Sequence, residues 1–363
     1  MLPFVPDALP LSSLDWGALI DLMGTANREI ARYDGLLQSI PNPRVLLAPL
    51  RTQEAVLSSK IEGTQATLEE VLEFDASPQK NFERRDDIAE VINYRKALAY
   101  ANEEMETRPI SLNMIRRVHS LLLEGVRGEN KDKGNFRKIQ NWIGSHGSDQ
   151  SQARYVPPTV PVMMDALDKW EKYIHEDEKD FLVQLAIIHA QFEIIHPFLD
   201  GNGRIGRILI PLFLYHKEVI HQPVFYLSHY LETNRQQYYD ALKSISDTGQ
   251  WTQWIRFFLQ GLIEQSKRNS EKTKNILALY DEMKLRVVNS THSQFAIQTI
   301  DCLFKQPVFN TAQFIESTGM PRASASRILN TLTEEGIILQ FEKGAGRKPS
   351  IFAFRDILTI VNK

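Results

Sequence analysis

Two apolar helical faces, joined by a stretch that cannot itself be helical, constrain this chain more than any other feature. Phe181, Leu185, Ile188, Phe192 and Ile195 recur at helical spacing, and Ile205, Ile208, Leu209 and Leu212 repeat the pattern beyond the intervening HPFLDGNGRIGR, residues 196–207. Pro197 disfavours helical backbone at His196, so the first helix ends there and the second begins near Asn202 or Gly203. The result is a buried helix-loop-helix. Its loop gathers a histidine, an acid, two glycines around an asparagine, and two arginines.

Each of those residue types has a use at its position. His196 stands at a helix C-terminus, whose negative dipole end favours an imidazolium, so it suits a group that accepts a proton. Gly201 and Gly203 let the backbone turn with bare N–H groups at the positive end of the next helix, a general anion-binding arrangement. Arg204 and Arg207, three residues apart, can both reach phosphate oxygens, and two of them suggest a polyphosphate. Asp200 would repel bare phosphate, but a hard oxygen ligand beside phosphates is what magnesium requires. ATP with Mg2+ fits the set.

The rest of the chain bounds this reading. At 363 residues two or three domains are expected, and with a formal net charge of −3 nothing global argues for a polyanion-binding surface, so any charged patch is local. One cysteine, Cys302, excludes an internal disulfide framework. No apolar run reaches a membrane span, and MLPFVPDALP lacks the form of a signal peptide, so the chain reads as cytoplasmic. No GxxxxGK[ST] or HExxH occurs, which disfavours a P-loop NTPase and a zinc hydrolase.

Helical punctuation dominates the first three quarters. Ser12 and Ser13 precede an apolar stripe beginning at Trp16, a second helix carries Leu50, Ala55, Val56 and Ile61 and stops near Glu62, and Thr67 with Glu70 forms a capping box. Further helices follow around 88–98 and 112–122. Between Gly134 and Pro158 polar and apolar residues alternate about a Gly/Ser-rich turn, which predicts a β-hairpin. After Ser293, NTAQFIESTG and PRASASRILNTLTEEG read as a helix-turn-helix, and IILQF and SIFAF as two strands around EKGAGRKP, in winged-helix order.

The stretch 196–207 resembles the Fic family signature HxFx[DE]GNGRxxR, matched at His196, Phe198, Asp200, Gly201, Asn202, Gly203, Arg204 and Arg207. The resemblance extends to GNFRKIQNWIG, to YVPP ending at Pro158 and to HYLETNRQQYYDAL, roughly residues 110 to 260. It implies a mainly α fold, a Fic helical bundle with a small β-hairpin flap, here with a C-terminal winged helix-turn-helix. It also implies a protein adenylyltransferase that moves AMP from ATP to a Tyr, Thr or Ser hydroxyl of a target protein or of itself. By position, His196 would deprotonate that hydroxyl and Asp200 would hold the metal. Gly201, Asn202 and Gly203 would cradle the α and β phosphates, with Arg204 and Arg207 on the distal ones. Phe198 would anchor the loop, and Tyr238, Tyr239, Ile143 and Gly144 are candidates for the nucleotide pocket, with core packing an equal alternative. His189 reads as a core histidine.

Upstream, SSKIEG matches the family's inhibitory pattern [ST]xxxE[GN] at Ser58, Glu62 and Gly63. The resemblance implies that Glu62 pairs with Arg207 and obstructs the γ-phosphate. An arginine set out for phosphate carries unmet charge in an empty site, and a carboxylate on a neighbouring helix neutralises it. Two other functions stay open: removal of AMP with Glu62 activating water, and a nucleotide-sensing DNA-binding regulator. In the tail, Arg322, Arg327, Arg347 and Lys348 are candidate DNA or partner contacts, diluted by Glu334, Glu335 and Glu342. DNA and a homodimer both stay open as partners, and no membrane partner is expected. The expected divisions are 1–108 for the N-terminal helical region with the inhibitory helix, 109–270 for the Fic core, 271–290 for a linker helix, and 291–363 for the winged helix.

Overall fold

The computed structural model describes residues 2–144, 152–344 and 348–363. The chain does not enter its first helix at Ser12 or Ser13. Asp15 accepts from the Ala18 amide, a three-ten turn runs Gly17–Leu19, and α1 is Ile20–Gln38. The residues before it form a strap over the core: the Phe4 amide donates to the Val156 carbonyl, and Asp7 accepts from Gln191 and Trp251.

Helices α2 (Pro43–Leu46), α3 (Ala48–Ile61), α4 (Leu68–Ala76), α5 (Arg85–Glu104) and α6 (Leu112–Leu122) follow. Helix α3 stops at Glu62, where Gly63 adopts φ +104°, and the Thr67–Glu70 capping box starts α4 as its sequence predicts. The arms of the expected flap meet in one antiparallel bridge, Ile143 to Tyr155; its turn, 145–151, lies outside the described residues.

Helices α7 (Val160–His175), α8 (Phe181–Ile195) and α9 (Asn202–His216) build the centre. Helix α8 is apolar nearly all round and is accordingly packed on all sides, by α1, α7, α9 and the long helix described below. Two indoles fasten it, Trp170 donating to the Ile188 carbonyl and Trp254 to that of Ala186. Helices α10 (Ser228–Thr233) and α11 (Arg235–Thr248) lead into α12, a continuous helix of 41 residues, Trp251–Thr291. No turn separates residue 270 from 271. The expected linker is the far half of α12, and Ile276, Leu279, Met283 and Val287 are buried there.

The C-terminal module is α13 (Ala296–Lys305), β1 (Val308–Asn310), α14 (Thr311–Thr318), α15 (Arg322–Glu334), β2 (Leu339–Glu342), β3 (Ile351–Ala353) and α16 (Arg355–Asn362). Its sheet is antiparallel in the order β1-β3-β2, with Val308 opposite Ala353 and Asn310 opposite Ile351. Strand β1 and helix α16 go beyond the sequence reading, because three and eight residues are too short to show a period.

Gly261 of α12 faces the ring of Tyr230, and a Cβ there would sit 2.6 Å from a ring carbon. Alanine is the better helix former by about 1 kcal/mol, but overpacking against a buried ring costs about 1–3 kcal/mol. Gly261→Ala should therefore lower the urea midpoint; an unchanged or higher midpoint would show that the ring can move aside.

Candidate active site

Helix α8 ends in a left-handed residue, His196, at φ +48° and ψ +61°. Pro197 excludes right-handed helix there, and the turn is locked from outside by Arg137, which is 1% exposed. Its amide donates to the Pro197 carbonyl, and its side chain donates to the carbonyls of His196, Ile139 and Pro158. The His196 Nδ1 lies 3.3 Å from the Glu193 carbonyl, which can only accept, so that nitrogen carries the proton and Nε2 keeps its lone pair. Burial pushes the imidazole down to about 4; Arg137 adds to this, while the Glu193 carbonyl and the charges of Glu62 and Asp200 pull the other way. The helix-end effect expected from sequence is outweighed, and the resting histidine is neutral.

The rest of the loop is closed by residues that do not face it. Phe198 is fully buried, stacked on His119 at 3.9 Å between centroids. His119 accepts from the Gly134 amide through Nδ1, so its Nε2–H donates to the Asp200 carbonyl at 3.0 Å. Asn202 also closes the loop. Its side chain accepts from the Phe198 amide and donates to the Phe198 carbonyl, both at 2.9 Å, which closes the loop like a staple. Only its backbone N–H remains for an anion, with those of the first turn of α9, which have no partner within the helix.

The two arginines lie on the first and second turns of α9, both 2% exposed. Arg204 donates to Glu90 Oε2 of α5 at 3.1 Å and lies 3.4 Å from Asp200 Oδ1, and its Nε finds no acceptor. Glu90 is shared with Arg127, 3.3 Å away. Arg207 donates from Nε to Ser58 Oγ at 2.7 Å, and from Nη2 to the Ser58 carbonyl at 3.0 Å and Glu62 Oε1 at 2.6 Å. Burial opposes charge on Glu62, yet Arg207, helped by Arg204, holds the carboxyl below its ordinary range. That carboxylate lies directly on the first turn of α9: a Cβ on Gly203 would come within 2.4 Å of Glu62 Oε1. No residue but glycine permits this approach.

Among the other expected residues, Tyr238 is 1% exposed, and its hydroxyl donates to His189 Nε2 at 3.0 Å while His189 Nδ1–H donates to the Gly206 carbonyl. It is packed in the core, the alternative that the sequence left open for it, with its hydroxyl paired to His189. Tyr239 is 41% exposed beneath Arg235, and Glu62 and Arg207 lie near enough to perturb it. Ile143 and Gly144 are exposed on the flap arm. Asp200 keeps an open face, with its side chain 36% exposed. Among the described residues no three His, Cys, Asp or Glu side chains cluster as a metal cage, so Asp200 stands as a single carboxylate. In the tail, Arg322 and Lys348 are exposed, Arg327 donates to the Thr291 carbonyl at the end of α12, and Arg347 lies outside the described residues.

A model of the Fic/DOC family N-terminal region matches residues 20–103 and one of the Fic/DOC family matches 109–214, together more than half of the chain. The chain belongs to the Fic/DOC family. An IclR helix-turn-helix model matches 312–340. The chain is 27% identical over 176 residues to a protein adenylyltransferase Fic of Drosophila grimshawi, covering 47% of this chain and 33% of the relative. It is 26% identical over 207 residues to a probable protein adenylyltransferase of Aquifex aeolicus, covering 54% and 56%. The chain thus spans between a third and somewhat over half of the length of these relatives. A Fic family protein from Desulfovibrio desulfuricans G20 shares the fold over 98% of both chains, with a TM-score of 0.58 and 20% identity. A Fic domain containing signaling protein from Bacteroides thetaiotaomicron does so over 69% of this chain and 97% of its own, at 0.53 and 16%.

Four groups of this Fic site lie outside the motif and were not singled out from sequence: Arg137, His119, Glu90 and Glu193. Glu193 Oε1 is buried without a hydrogen bond, packed toward Gly206, and burial raises the carboxyl to about 8. Glu90 has the clearest consequence. Removing one partner of a buried ion pair costs about 3–5 kcal/mol. Glu90→Ala should lower the urea midpoint accordingly, whereas Arg127→Ala, an arginine 59% exposed, should change it little. Equal small effects would mean that water replaces Glu90 on Arg204.

Proposed function

We propose that this chain transfers AMP from ATP to a hydroxyl of a protein side chain, releasing pyrophosphate, and that Glu62 holds it in a low-activity state. The observation that carries the reading is an anion already lodged in an anion site. The Glu62 carboxylate rests on the N-terminal turn of α9 and takes a hydrogen bond from Arg207, the placement a phosphate oxygen would take. The relatives named adenylyltransferase support the reaction class.

In this reading the triphosphate lies over Gly201, Asn202 and Gly203, whose amides face the α and β phosphates. The target hydroxyl oxygen attacks the α-phosphorus, the bond from that phosphorus to the α–β bridging oxygen breaks, and pyrophosphate leaves. The hydroxyl proton passes to His196 Nε2, the lone pair left free by the Nδ1–H bond. Arg204 and Arg207 offset charge on the leaving oxygens. The donor set suits magnesium, which keeps water and phosphate ligands and needs only one or two carboxylates: Asp200 would hold it, and it would neutralise charge on the phosphates. With Glu62 in place Arg207 is not free for the γ-phosphate. For the tail, exposed Arg322, Arg327 and Lys348 support a DNA or protein contact, Arg327 also donating to the end of α12.

ATP labelled at the α position should leave its label on protein in the presence of magnesium, and γ-labelled ATP should not; covalent γ label would make the chain a kinase. Glu62→Gly should raise transfer at least tenfold, and Arg207→Ala should cancel the gain, a non-additivity that a merely stabilising contact would not give. His196→Ala should abolish transfer and spare ATP binding. Unchanged transfer in a folded Glu62→Gly protein would remove the brake from this account, and loss of AMP removal from a modified target would make Glu62 a hydrolytic base.

The pH dependence follows from the neutral histidine. Its pKa is lowered, so the base form persists down to about pH 4, and removing Glu62 deletes a charge that raises it. In Glu62→Gly, kcat/KM for ATP should show no acid limb near pH 6.5; a limb there would mean that His196 is not held as it is here.

A further inference from the structure

We infer that the winged helix is a clamp on the brake: it grips the helices on both sides of the Glu62–Gly63 turn, and loosening that grip releases Glu62 from Arg207. The inference rests on the reading of Glu62 given above.

The first grip is on α3. The Val361 carbonyl, at the end of α16, accepts from Lys272 Nζ of α12 at 2.5 Å and also from the Gln53 side chain of α3. Lys272 Nζ donates in addition to Gln53 Oε1 at 2.8 Å. The last turn of a helix leaves carbonyls unpaired, and here one of them is satisfied by the brake helix itself and by an ammonium only 7% exposed. Burial pushes that ammonium down to about 8, so the contact is made by a group drawn out of water.

The second grip is on α4, which follows α3 after the turn. Asn310 Nδ2 donates to the Ala76 carbonyl at 2.8 Å, and Gln313 Nε2 donates to the Asp75 carbonyl at 2.7 Å. These cap the C-terminal end of α4. The same two residues use their oxygens as the capping box of α14: Asn310 Oδ1 accepts from the Gln313 amide and Gln313 Oε1 from the Asn310 amide, both at 2.9 Å. Each side-chain amide therefore faces two ways, its oxygen to its own helix and its nitrogen to α4. Surface contacts add to the grip, Asn362 to Glu69 at 2.6 Å and Lys80 to Glu342 at 2.7 Å.

Other contacts oppose the clamp as the sole anchor. Helix α3 is held to the bundle by Glu54, which accepts from Ser228 at 2.5 Å and from Tyr94 at 3.3 Å, and α4 by a two-pronged pair between Arg95 and Asp75. These lie on the core side of the same two helices, so the brake segment sits between the bundle and the winged helix. The module decides the position of Glu62 only if its half of the grip is needed.

The two-way amides provide a clean test. Asn310→Asp with Gln313→Glu keeps both capping-box acceptors, in the residue types favoured at those positions, and replaces both donors to α4 with carboxylate oxygens. Gln53→Met removes the other grip, because that side chain carries both the bond to Val361 and the bond to Lys272. In the full chain with α-labelled ATP, each variant should raise AMP transfer at least threefold, and all three substitutions together should approach Glu62→Gly. In a Glu62→Gly background they should add nothing. Amide exchange across residues 58–66 should quicken in the same variants, a readout that does not depend on the reaction. Unchanged exchange and transfer in folded variants, beside a Glu62→Gly that does rise, would overturn the clamp. A gain that persists in the Glu62→Gly background would show an effect not routed through Glu62 and would overturn it as well. If exchange quickens but Glu62→Gly transfers no AMP, the clamp stands and the reading of the reaction fails.

Discussion

Arg207 is the constraint around which the described arrangement is organised. A guanidinium cannot shed its charge, and this one is buried on the second turn of α9, so it must be paired. Ser58 and Glu62 do so from α3, through one side-chain oxygen, one backbone carbonyl and one carboxylate. Those contacts tie an N-terminal helix to the middle of the chain, 145 to 149 residues away. They also occupy the arginine's N–H donors, the groups that a triphosphate would need. Burying that charge and tying the N-terminal helix to α9 are thus one requirement.

The loop that faces Arg207 is rigid for a reason of its own. The polar groups around it are already paired: Asn202 on both sides of Phe198, His119 on Asp200, and Arg137 on the separate carbonyls of His196, Ile139 and Pro158. What is left facing outward is a lone pair on His196, one carboxylate on Asp200 and the open amides of α9. A site that closes its other hydrogen bonds internally has few competing geometries, which suits chemistry that depends on positioning and electrostatics more than on covalent help from the protein.

How much of this was legible in the sequence follows from the range of each interaction. The helix ends at Ile195 and Asn202, the left-handed Gly63 and the Thr67 capping box are local, and short motifs carry them. The pairing of Glu62 with Arg207 was legible only because two patterns far apart in the chain resemble one family. Glu90, Arg137, His119 and Glu193 were not, since a lone acid or histidine on an apolar face looks the same whether it meets solvent, core or site. For Tyr238 and Asn202 the sequence did not show the internal partner: one hydroxyl meets His189 and one amide meets Phe198, contacts that no spacing reveals. The N-terminal helix began late because Asp15, not Ser12 or Ser13, supplied the acceptor.

The long helix α12 changes what the C-terminal module can be. Had residues 271–290 been a free linker, the winged helix would tumble apart from the bundle, and its contacts would be incidental. Instead one unbroken helix carries both, burying Trp254 and Phe258 in the bundle and Met283 and Val287 toward the winged helix. Arg327 then bonds the end of that same helix, so one of the side chains that sequence offers to DNA is already used to fix the module in place. A module held at this angle lays its capping residues and its last helix on α3 and α4 without any further element. The orientation fixed by α12 is thus also the one that ties the module to the helices flanking the Glu62–Gly63 turn.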